Sequence, residues 1–286
     1  MSDESRQYAT PAAFRVALET RLRTISSAEG TDLQRLRRQI SFDRLLARFF
    51  AERNAPWLLK GGYAMELRIR SARTTKDIDI SLPAGAVAEF GGKILTRLQD
   101  TTRTDLSDFF AFIVGEPQND LKAAPQGGAR YPVTASVAGR RFTGFHLDVG
   151  IGDAVVSPTE SIKGRDWLGF AGIVAPQFTA ISKEQQFAEK LHAYSLPRPD
   201  STNSRVKDLV DMLLLIQMQT MDKAVLEQAV QTTFEVRATH TIPAPLPKPP
   251  ATWNEPFLVM MKECRLEIAL DDAWTIVETY LSGTGH

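Results

Sequence analysis

The stretch WLLKGGYAMELRIRSARTTKDIDISL, residues 57–82, decides the fold of this chain. Apolar residues lead into Lys60-Gly61-Gly62, and a segment with helical spacing, Tyr63 to Leu67, follows. After a polar, basic run, Asp77-Ile78-Asp79-Ile80 alternates as a half-buried strand does. A strand, a Gly-Gly turn, a helix and a second strand are therefore predicted in this order.

Two carboxylates of this stretch, Asp77 and Asp79, lie on the same side of the predicted strand, because side chains alternate along a strand. Carboxylates this close repel each other unless a cation lies between them. Hard divalent cations such as Mg²⁺ take oxygen ligands and usually share them with phosphates. The pair indicates a metal site, although an Asp-x-Asp pair is also common on an ordinary solvated strand face.

The Gly61-Gly62 pair lets backbone N–H groups approach an anion closely, ahead of a helix whose N-terminus favours negative charge. A Gly-Gly pair by itself is more typical of a simple turn. The basic residues of the stretch outnumber its one intervening acid, Glu66; they are Lys60, Arg68, Arg70, Arg73 and Lys76. One short segment thus offers a phosphate cradle and a metal-binding pair.

Lys60-Gly61-Gly62-Tyr63-Ala64, with Arg73-Thr74-Thr75-Lys76-Asp77-Ile78-Asp79 after it, resembles the AbiEii/AbiGii family of nucleotidyltransferase toxins. Segments 189–193 and 205–211 resemble later motifs of this family. The resemblance implies an α+β fold of the polymerase-beta nucleotidyltransferase type. We therefore expect a small mixed β-sheet with flanking helices and a mainly helical C-terminal region.

The same resemblance implies an enzyme that transfers a nucleoside monophosphate from an NTP to an acceptor hydroxyl, with pyrophosphate leaving. It implies Mg²⁺ as cofactor, a tRNA 3′ end as acceptor, and a toxin of a toxin–antitoxin or phage-defence pair. The implied partner is a cognate, AbiEi-like antitoxin encoded nearby. Two alternatives stay open: nucleotidylation of a protein or small molecule, and a non-catalytic module that binds nucleotide or antitoxin.

The residues implied for these roles fall into three overlapping sets. The expected Mg²⁺ ligands are Asp77, Asp79 and Asp148. The expected nucleotide contacts are Lys60, Gly61, Gly62, Tyr63, Arg73 and Lys190. The expected catalytic residues are Asp77, Asp79, Lys190, Asp208 and Asp211. Tyr63 stands where many wider relatives carry Ser, which leaves open whether a side-chain hydroxyl helps to hold the triphosphate.

Asp148 lies in a predicted strand, residues 140–149, joined to another, residues 131–137, through Ala138-Gly139. Alternation places Asp148 and His146 on one face of that strand and the apolar residues on the other. Asp148 is therefore either a third metal-binding carboxylate or a strand-end residue ahead of a Gly-rich turn. We interpret His146 as a sheet-face residue and not as a ligand.

Two C-terminal helices carry the remaining candidates. Ser182 with Gln185 three residues on has the capping-box form and predicts a helix to about residue 195. Lys190 on its apolar face either extends to the rim or neutralises a phosphate. Asp208 and Asp211, one turn apart on the next helix, need partners such as Lys190 or a metal. An internal ion-pair network and a catalytic role are both compatible with that spacing, and the sequence does not say which Asp is functional.

Composition bounds the class of protein without identifying it. The chain has 286 residues, and 34 Lys and Arg balance 34 Asp and Glu, so net charge indicates no partner. One cysteine, Cys264, excludes an internal disulfide. The polar N-terminus is not a signal peptide, and no apolar run approaches the roughly 20 residues of a membrane span. We expect no membrane partner and a cytoplasmic location.

Along the chain we expect an N-terminal helical region (1–55), a nucleotidyltransferase core (56–165) and a helical C-terminal domain (166–286). Helices are predicted at residues 10–26, 32–53 and 86–98, and a loop-rich bridge at 153–181. The nine arginines between residues 15 and 53 form either a solvated helix face or an RNA-facing surface.

Overall fold

The computed structural model describes residues 8–89, 92–121, 124–198 and 205–283. Its contacts divide the chain into two compact units that interleave in sequence. The first contains residues 1–59, 75–152 and 161–180, and the second contains residues 60–74, 153–160 and 181–286. The three consecutive segments expected from the sequence stay a prediction about its organisation.

Helices and strands alternate in the first two thirds of the described chain, and helices dominate the rest. The α-helices are α1 (Pro11–Glu29), α2 (Leu33–Phe49), α3 (Gly61–Arg68), α4 (Ala84–Glu89), α5 (Ile94–Thr102), α6 (Lys183–Ser195), α7 (Val206–Gln217), α8 (Lys223–Arg237), α9 (Asn254–Glu263) and α10 (Leu270–Ser282). The strands are β1 (Leu58–Lys60), β2 (Asp77–Leu82), β3 (Phe110–Val114), β4 (Asn119–Asp120), β5 (Gly128–Val137), β6 (Arg140–Ile151), β7 (Glu160–Lys163) and β8 (Gln177–Ala180).

The strands form one mixed, eight-stranded sheet in the order β3-β5-β6-β2-β1-β8-β7, with β4 paired to β5. Strands β2 and β6 run parallel, as do β1 and β8, while β3, β4 and β6 pair with β5 in antiparallel fashion. The predicted α+β class, a mixed sheet with flanking helices and a mainly helical C-terminal region, is confirmed.

One face of the sheet is covered by α2, because apolar side chains of β6 point toward it. Phe42 of α2 meets Phe145 of β6 edge to face, with 4.8 Å between the ring centroids. Phe145, Leu147 and Val149 are all buried, as their alternation predicts. Asp148 and His146 alternate with them, so these two side chains belong to the opposite face of the sheet.

Several arginines of α1 and α2 hold the first unit together. Arg48 donates to both carboxylate oxygens of Asp108, at 2.9 and 2.8 Å, and Arg44 donates to the same group at 2.6 Å. Arg37 pairs with Glu19 at 2.7 Å. Arg15 donates to three backbone carbonyls of the β5–β6 hairpin. The contacts of these four arginines therefore support a structural role and not the RNA-facing one.

Two local predictions were wrong. The helix expected at 86–98 is two helices, α4 and α5, and Gly92 between them has a positive φ of 74°, which an α-helix cannot continue through. The bridge expected at 153–181 contributes β7 and β8 to the sheet. β7 has only one apolar residue, Ile162, so no alternation marks it, and β8 alternates but follows a stretch rich in Gly and Pro that is typical of a loop.

The second unit is a helical cluster around α7, whose buried apolar residues pack against α6, α9 and α10. Ser182 caps α6 as predicted, since its hydroxyl accepts a hydrogen bond from the Gln185 N–H at 3.1 Å. None of the helices in the described ranges is both long and apolar enough to span a membrane.

Candidate active site

The predicted acids of the first unit meet on adjacent strands. In β2, Asp77 and Asp79 are half-buried while Ile78 and Ile80 are buried, as the alternation predicts. The parallel register places Asp79 beside Asp148 of β6 and Asp77 beside His146. Because residues in register on neighbouring strands project to the same face, the three carboxylates share one face of the sheet.

An arginine that the sequence did not single out, Arg130 of β5, completes this acidic cluster. It lies opposite Asp148 in the antiparallel register. Its Nε and Nη2 donate to Asp148 Oδ1 and Oδ2 at 2.8 and 2.7 Å, and Nη2 is 3.4 Å from Asp77 Oδ2. A hydrogen bond to Asp148 is the largest cause that raises the pKa of Arg130 further above its usual value. The cluster thus contains its own permanent cation.

His146 lies at the rim of the same cluster. Its Nδ1 is 3.2 Å from Asp77 Oδ1, and its side chain is 39% exposed. It is a sheet-face residue, as expected, and it also touches a predicted metal ligand.

The donor chemistry of this cluster suits a hard divalent cation, because Asp77 and Asp79 offer carboxylate oxygens on one face. In the described ranges, however, no group of three or more His, Cys, Asp or Glu side chains is arranged to hold a metal ion. On the sheet, Arg130 binds both oxygens of Asp148. Asp77 and Asp79 offer carboxylate oxygens to Mg²⁺, whereas both oxygens of Asp148 are engaged by Arg130, which also lies 3.4 Å from Asp77 Oδ2.

The Gly61-Gly62 turn belongs to the second unit and opens α3 directly after β1. Gly61 has a positive φ of 66°, which glycine adopts without strain. Its carbonyl accepts a hydrogen bond from Gln186 Nε2 of α6 at 2.7 Å. Gln186 is 1% exposed and is itself held by Arg68. The conformation of the turn is thus fixed by a side chain of α6.

Tyr63, the residue after the turn, is only 1% exposed, so its ring is buried in the fold.

Lys60, expected to contact phosphate, is engaged elsewhere in the second unit. Its ammonium forms an ion pair with Asp153 and lies 3.8 Å from Glu189. Arg237 contacts the same two acids, at 3.1 and 3.8 Å. Burial alone lowers the pKa of Lys60, but Glu189 and Asp153 outweigh it and the pKa is raised. The structure brings Lys60 to carboxylates that anchor the residue preceding the turn.

Lys190, Asp208 and Asp211 meet in the second unit, together with Arg73. The Lys190 ammonium is 3.3 Å from Asp208 and 2.9 Å from Asp211. Arg73 donates to both oxygens of Asp211 at 2.9 and 2.7 Å, and Arg205 pairs with Asp208. The expected internal ion-pair network is therefore present, and it includes two of the three predicted nucleotide-binding cations, Arg73 and Lys190.

Lys190 and Asp211 shift each other's pKa values within this group. Burial alone would lower the pKa of Lys190, but Asp211 and Asp208 raise it overall, so the amine stays charged. Burial alone would raise the pKa of Asp211, but Lys190 and Arg73 lower it overall. Three cations (Arg73, Lys190 and Arg205) contact the two carboxylates, and Lys207 lies near them with a pKa lowered by burial and by these neighbouring cations. The group has a net positive charge, which suits a polyphosphate.

Three residues that contact the predicted site residues were not singled out by sequence reasoning: Arg130, Gln186 and Asp153. Each acts through a partner distant in sequence, so no local motif marks it. For Gln186 the burial in the structure explains the contact, because a buried polar side chain needs a hydrogen-bond partner.

Similar proteins are found among solved structures. MenT4, a nucleotidyltransferase toxin from Mycobacterium tuberculosis H37Rv, has a TM-score of 0.55 and 15% identity, covering 92% of this chain and 98% of that chain. JHP933 from Helicobacter pylori has a TM-score of 0.43 and 14% identity, covering 87% and 96%. Another structure from H. pylori, described as a nucleotidyltransferase, has a TM-score of 0.46 and 12% identity, covering 90% of this chain and 100% of that chain. At these identities the likeness to MenT4 concerns the fold.

Among curated proteins, none matches this sequence. The family model for the nucleotidyl transferase AbiEii toxin of type IV toxin–antitoxin systems matches residues 44–278. That range contains every site residue considered above, those of the first unit and those of the second. The chain therefore belongs to the AbiEii family of nucleotidyltransferase toxins.

Proposed function

We propose that this toxin transfers a nucleoside monophosphate from an NTP to the 3′-terminal hydroxyl of a tRNA, with Mg²⁺ as cofactor. In this reaction the acceptor oxygen attacks the α-phosphorus, the bond to the β-phosphate oxygen breaks, and pyrophosphate leaves. The observation that carries the proposal is the register of β2 and β6, which sets Asp77, Asp79 and Asp148 on one face in a chain of this family.

The acids of the first unit are assigned to the metal. Asp77 and Asp79 would hold Mg²⁺, and Asp148 would join them when Arg130 releases it. Bound Mg²⁺ would stabilise the charge that develops on the α-phosphate and on the leaving group. The protein itself supplies fixed carboxylates on a rigid sheet, which keeps the reacting phosphate in place.

The second unit is assigned to the triphosphate. The Gly61-Gly62 turn, held open by Gln186, presents backbone N–H groups at the start of α3. Lys190 and Arg73 contribute positive charge toward the phosphates. Because its pKa is raised, Lys190 serves as a cation and not as a general base. Asp208 and Asp211 are proposed as positioning residues that hold Lys190, while Lys60 anchors the turn through Asp153.

A tRNA acceptor and a cognate antitoxin are proposed from family membership. The net charge of the chain is zero, so an RNA acceptor must be bound through local basic groups and not through a global field. The antitoxin is proposed to be encoded nearby and AbiEi-like.

The test is incubation of the purified toxin with each of the four α-labelled NTPs, Mg²⁺ and either total tRNA or a tRNA-depleted lysate. Label that migrates with tRNA, from one preferred NTP, is the expected result. Label in protein or in small molecules would show that the acceptor is not tRNA. Nucleotide binding without pyrophosphate release or label in any acceptor would contradict the enzymatic proposal itself.

A further inference from the structure

The acidic cluster of the first unit already contains a cation, the guanidinium of Arg130. Arg130 is bound more firmly than the partner of an ordinary surface ion pair. Arg130 grips Asp148 through two parallel hydrogen bonds of 2.8 and 2.7 Å, and its Nη2 reaches Asp77 at 3.4 Å. Such forked pairs are the strong form of charge-assisted hydrogen bond. Only 11% of the Asp148 side chain is exposed. The fork is therefore the main interaction that neutralises this buried carboxylate.

The backbone register keeps Arg130 at this position. Arg130, Asp148 and Asp79 are Cα partners across β5, β6 and β2, so the guanidinium and the two carboxylates project from one row of the sheet. A side chain fixed by its strand cannot avoid the acids by a loop movement. It can only change rotamer, and 32% of its side chain is exposed, which leaves room for that change.

A metal ion and this guanidinium draw on the same carboxylate oxygens, and both carry positive charge. Mg²⁺ coordinates carboxylate oxygens at about 2.0–2.1 Å, and it demands near-octahedral geometry around them. Both Asp148 oxygens are occupied by Arg130, and one Asp77 oxygen faces it. A divalent cation at this row would also be repelled by the permanent charge of the arginine.

We propose that Arg130 is a resident counter-cation that competes with the divalent metal for Asp148 and Asp77. In the metal-free protein Arg130 offsets one of the three negative charges and links β5 to β6 through Asp148. When metal binds, Arg130 releases Asp148, so its presence weakens metal affinity. This inference rests on the proposed role of Asp77 and Asp79 as metal ligands.

The experiment measures metal binding directly, without NTP and without turnover. Mn²⁺ replaces Mg²⁺ as the probe, because the spectroscopic signal of free Mn²⁺ reports the bound fraction. The variants are Arg130→Gln, Arg130→Lys, Asp148→Asn and the Arg130→Gln/Asp148→Asn double variant. Arg97→Gln is the matched control: Arg97 also pairs with a carboxylate of the first unit, Glu52 at 2.6 Å, but outside the cluster.

Arg130→Gln is expected to bind Mn²⁺ about tenfold more tightly than the wild type, a change within the range by which neighbours of metal ligands alter affinity. Arg130→Lys keeps the charge without the fork and should lie between the two. Arg97→Gln should match the wild type. In the Asp148→Asn background the gain from Arg130→Gln should shrink, because the contested carboxylate is gone.

Unchanged or weaker Mn²⁺ binding by Arg130→Gln would overturn the inference, since Arg130 would then be neutral to the metal or would position its ligands. If Arg130→Gln does not fold, the same decision rests on Arg130→Lys. Asp79→Asn separates the two proposals. If it abolishes Mn²⁺ binding while Arg130 variants bind like the wild type, only the competition fails. If no protein, Arg130→Gln included, binds Mn²⁺ at millimolar concentration, the metal role of the acids fails as well.

Discussion

At the scale of single residues, the chemistry of this toxin depends on charges placed against their own counter-charges. Asp211 is fully buried and receives three contacts from Arg73 and Lys190, all within 3.0 Å. Burying ionised groups is unfavourable unless each is paired. The arrangement keeps Lys190 charged and fixed, which is what a phosphate-binding cation needs.

Asp211→Asn should destabilise the protein, because it leaves the half-buried charges of Arg73 and Lys190 without their main partner. Removing one partner of a buried pair typically costs about 3–5 kcal/mol. Urea unfolding at pH 7.5 measures the loss. Glu52→Gln is the control, since its exposed pair with Arg97 should contribute less than about 1 kcal/mol. Equal effects of the two substitutions would show that Asp211 does not hold this cluster.

Asp79→Ala should abolish nucleotide transfer and growth inhibition while leaving the fold intact. Asp79 is half-buried at the face where the metal is proposed, so little core packing is lost. The loss of transfer activity should be larger than the loss of about 10- to 100-fold that follows when a residue supporting a metal ligand is mutated. Transfer assays and circular dichroism measure the two effects. A fully toxic Asp79→Ala variant would end the catalytic hypothesis.

At the scale of elements, α6 connects several functional groups through side chains one turn apart on the same face of the helix. Gln186 holds the Gly61 carbonyl, and Lys190, one turn on, contacts Asp208 and Asp211. Gln186→Met preserves the helix and most of the packing but removes the hydrogen bond. We expect a several-fold rise in KM for the NTP with a smaller change in kcat. A change in kcat alone, with KM unaltered, would argue against a role for Gln186 in shaping the turn.

The contact between α6 and the end of α8 makes stability depend on pH. Burial, Arg237 and His240 lower the pKa of His192 to about 3, so the folded protein keeps it neutral. An unfolded chain protonates this histidine below about pH 6.5. Stability is therefore lost as pH falls from about 6.5 toward 3, by about 1.4 kcal/mol at pH 5.5.

His192→Gln should remove that part of the pH dependence. The free energy of unfolding at pH 7.5 and at pH 5.5 gives the difference for each protein. Carboxylates with lowered pKa, such as Asp211, lose their stabilising effect only below their ordinary range near 3.8, so they do not contribute in this interval. His240 also has a pKa lowered by burial, so part of the pH dependence remains in His192→Gln. An unchanged difference in His192→Gln would contradict the assignment.

At the scale of the whole molecule, each compact unit draws on separate stretches of the chain. The fragment 166–286 lacks α3, Arg73 and Asp153, which leaves Asp211 and Arg237 without partners they have in the full chain. We expect this fragment not to unfold cooperatively in urea, in contrast to the full chain. A cooperative transition at the same midpoint would support the boundary expected between residues 165 and 166.

The sequence by itself determined the elements that carry the predicted site residues and indicated the class of chemistry. The alternation of Asp77-Ile78-Asp79-Ile80 predicted a strand with both acids on one face, and the capping pattern at Ser182 predicted the start of α6. These features are local, because they depend on backbone periodicity and on partners three residues away. The family motif in the same stretch added the type of transfer, and the family is confirmed.

Only the tertiary structure decided which charges meet. Counting back from the Val137–Arg140 pair of the hairpin would place Arg130 opposite Leu147, facing away from the acids. A β-bulge between Ala135 and Ser136 shifts the register by one residue and sets Arg130 opposite Asp148. A shift of one residue moves a side chain to the other face of a sheet, and no local pattern in this sequence marks the bulge. The cation of the acidic cluster is therefore a product of strand pairing, not of any motif.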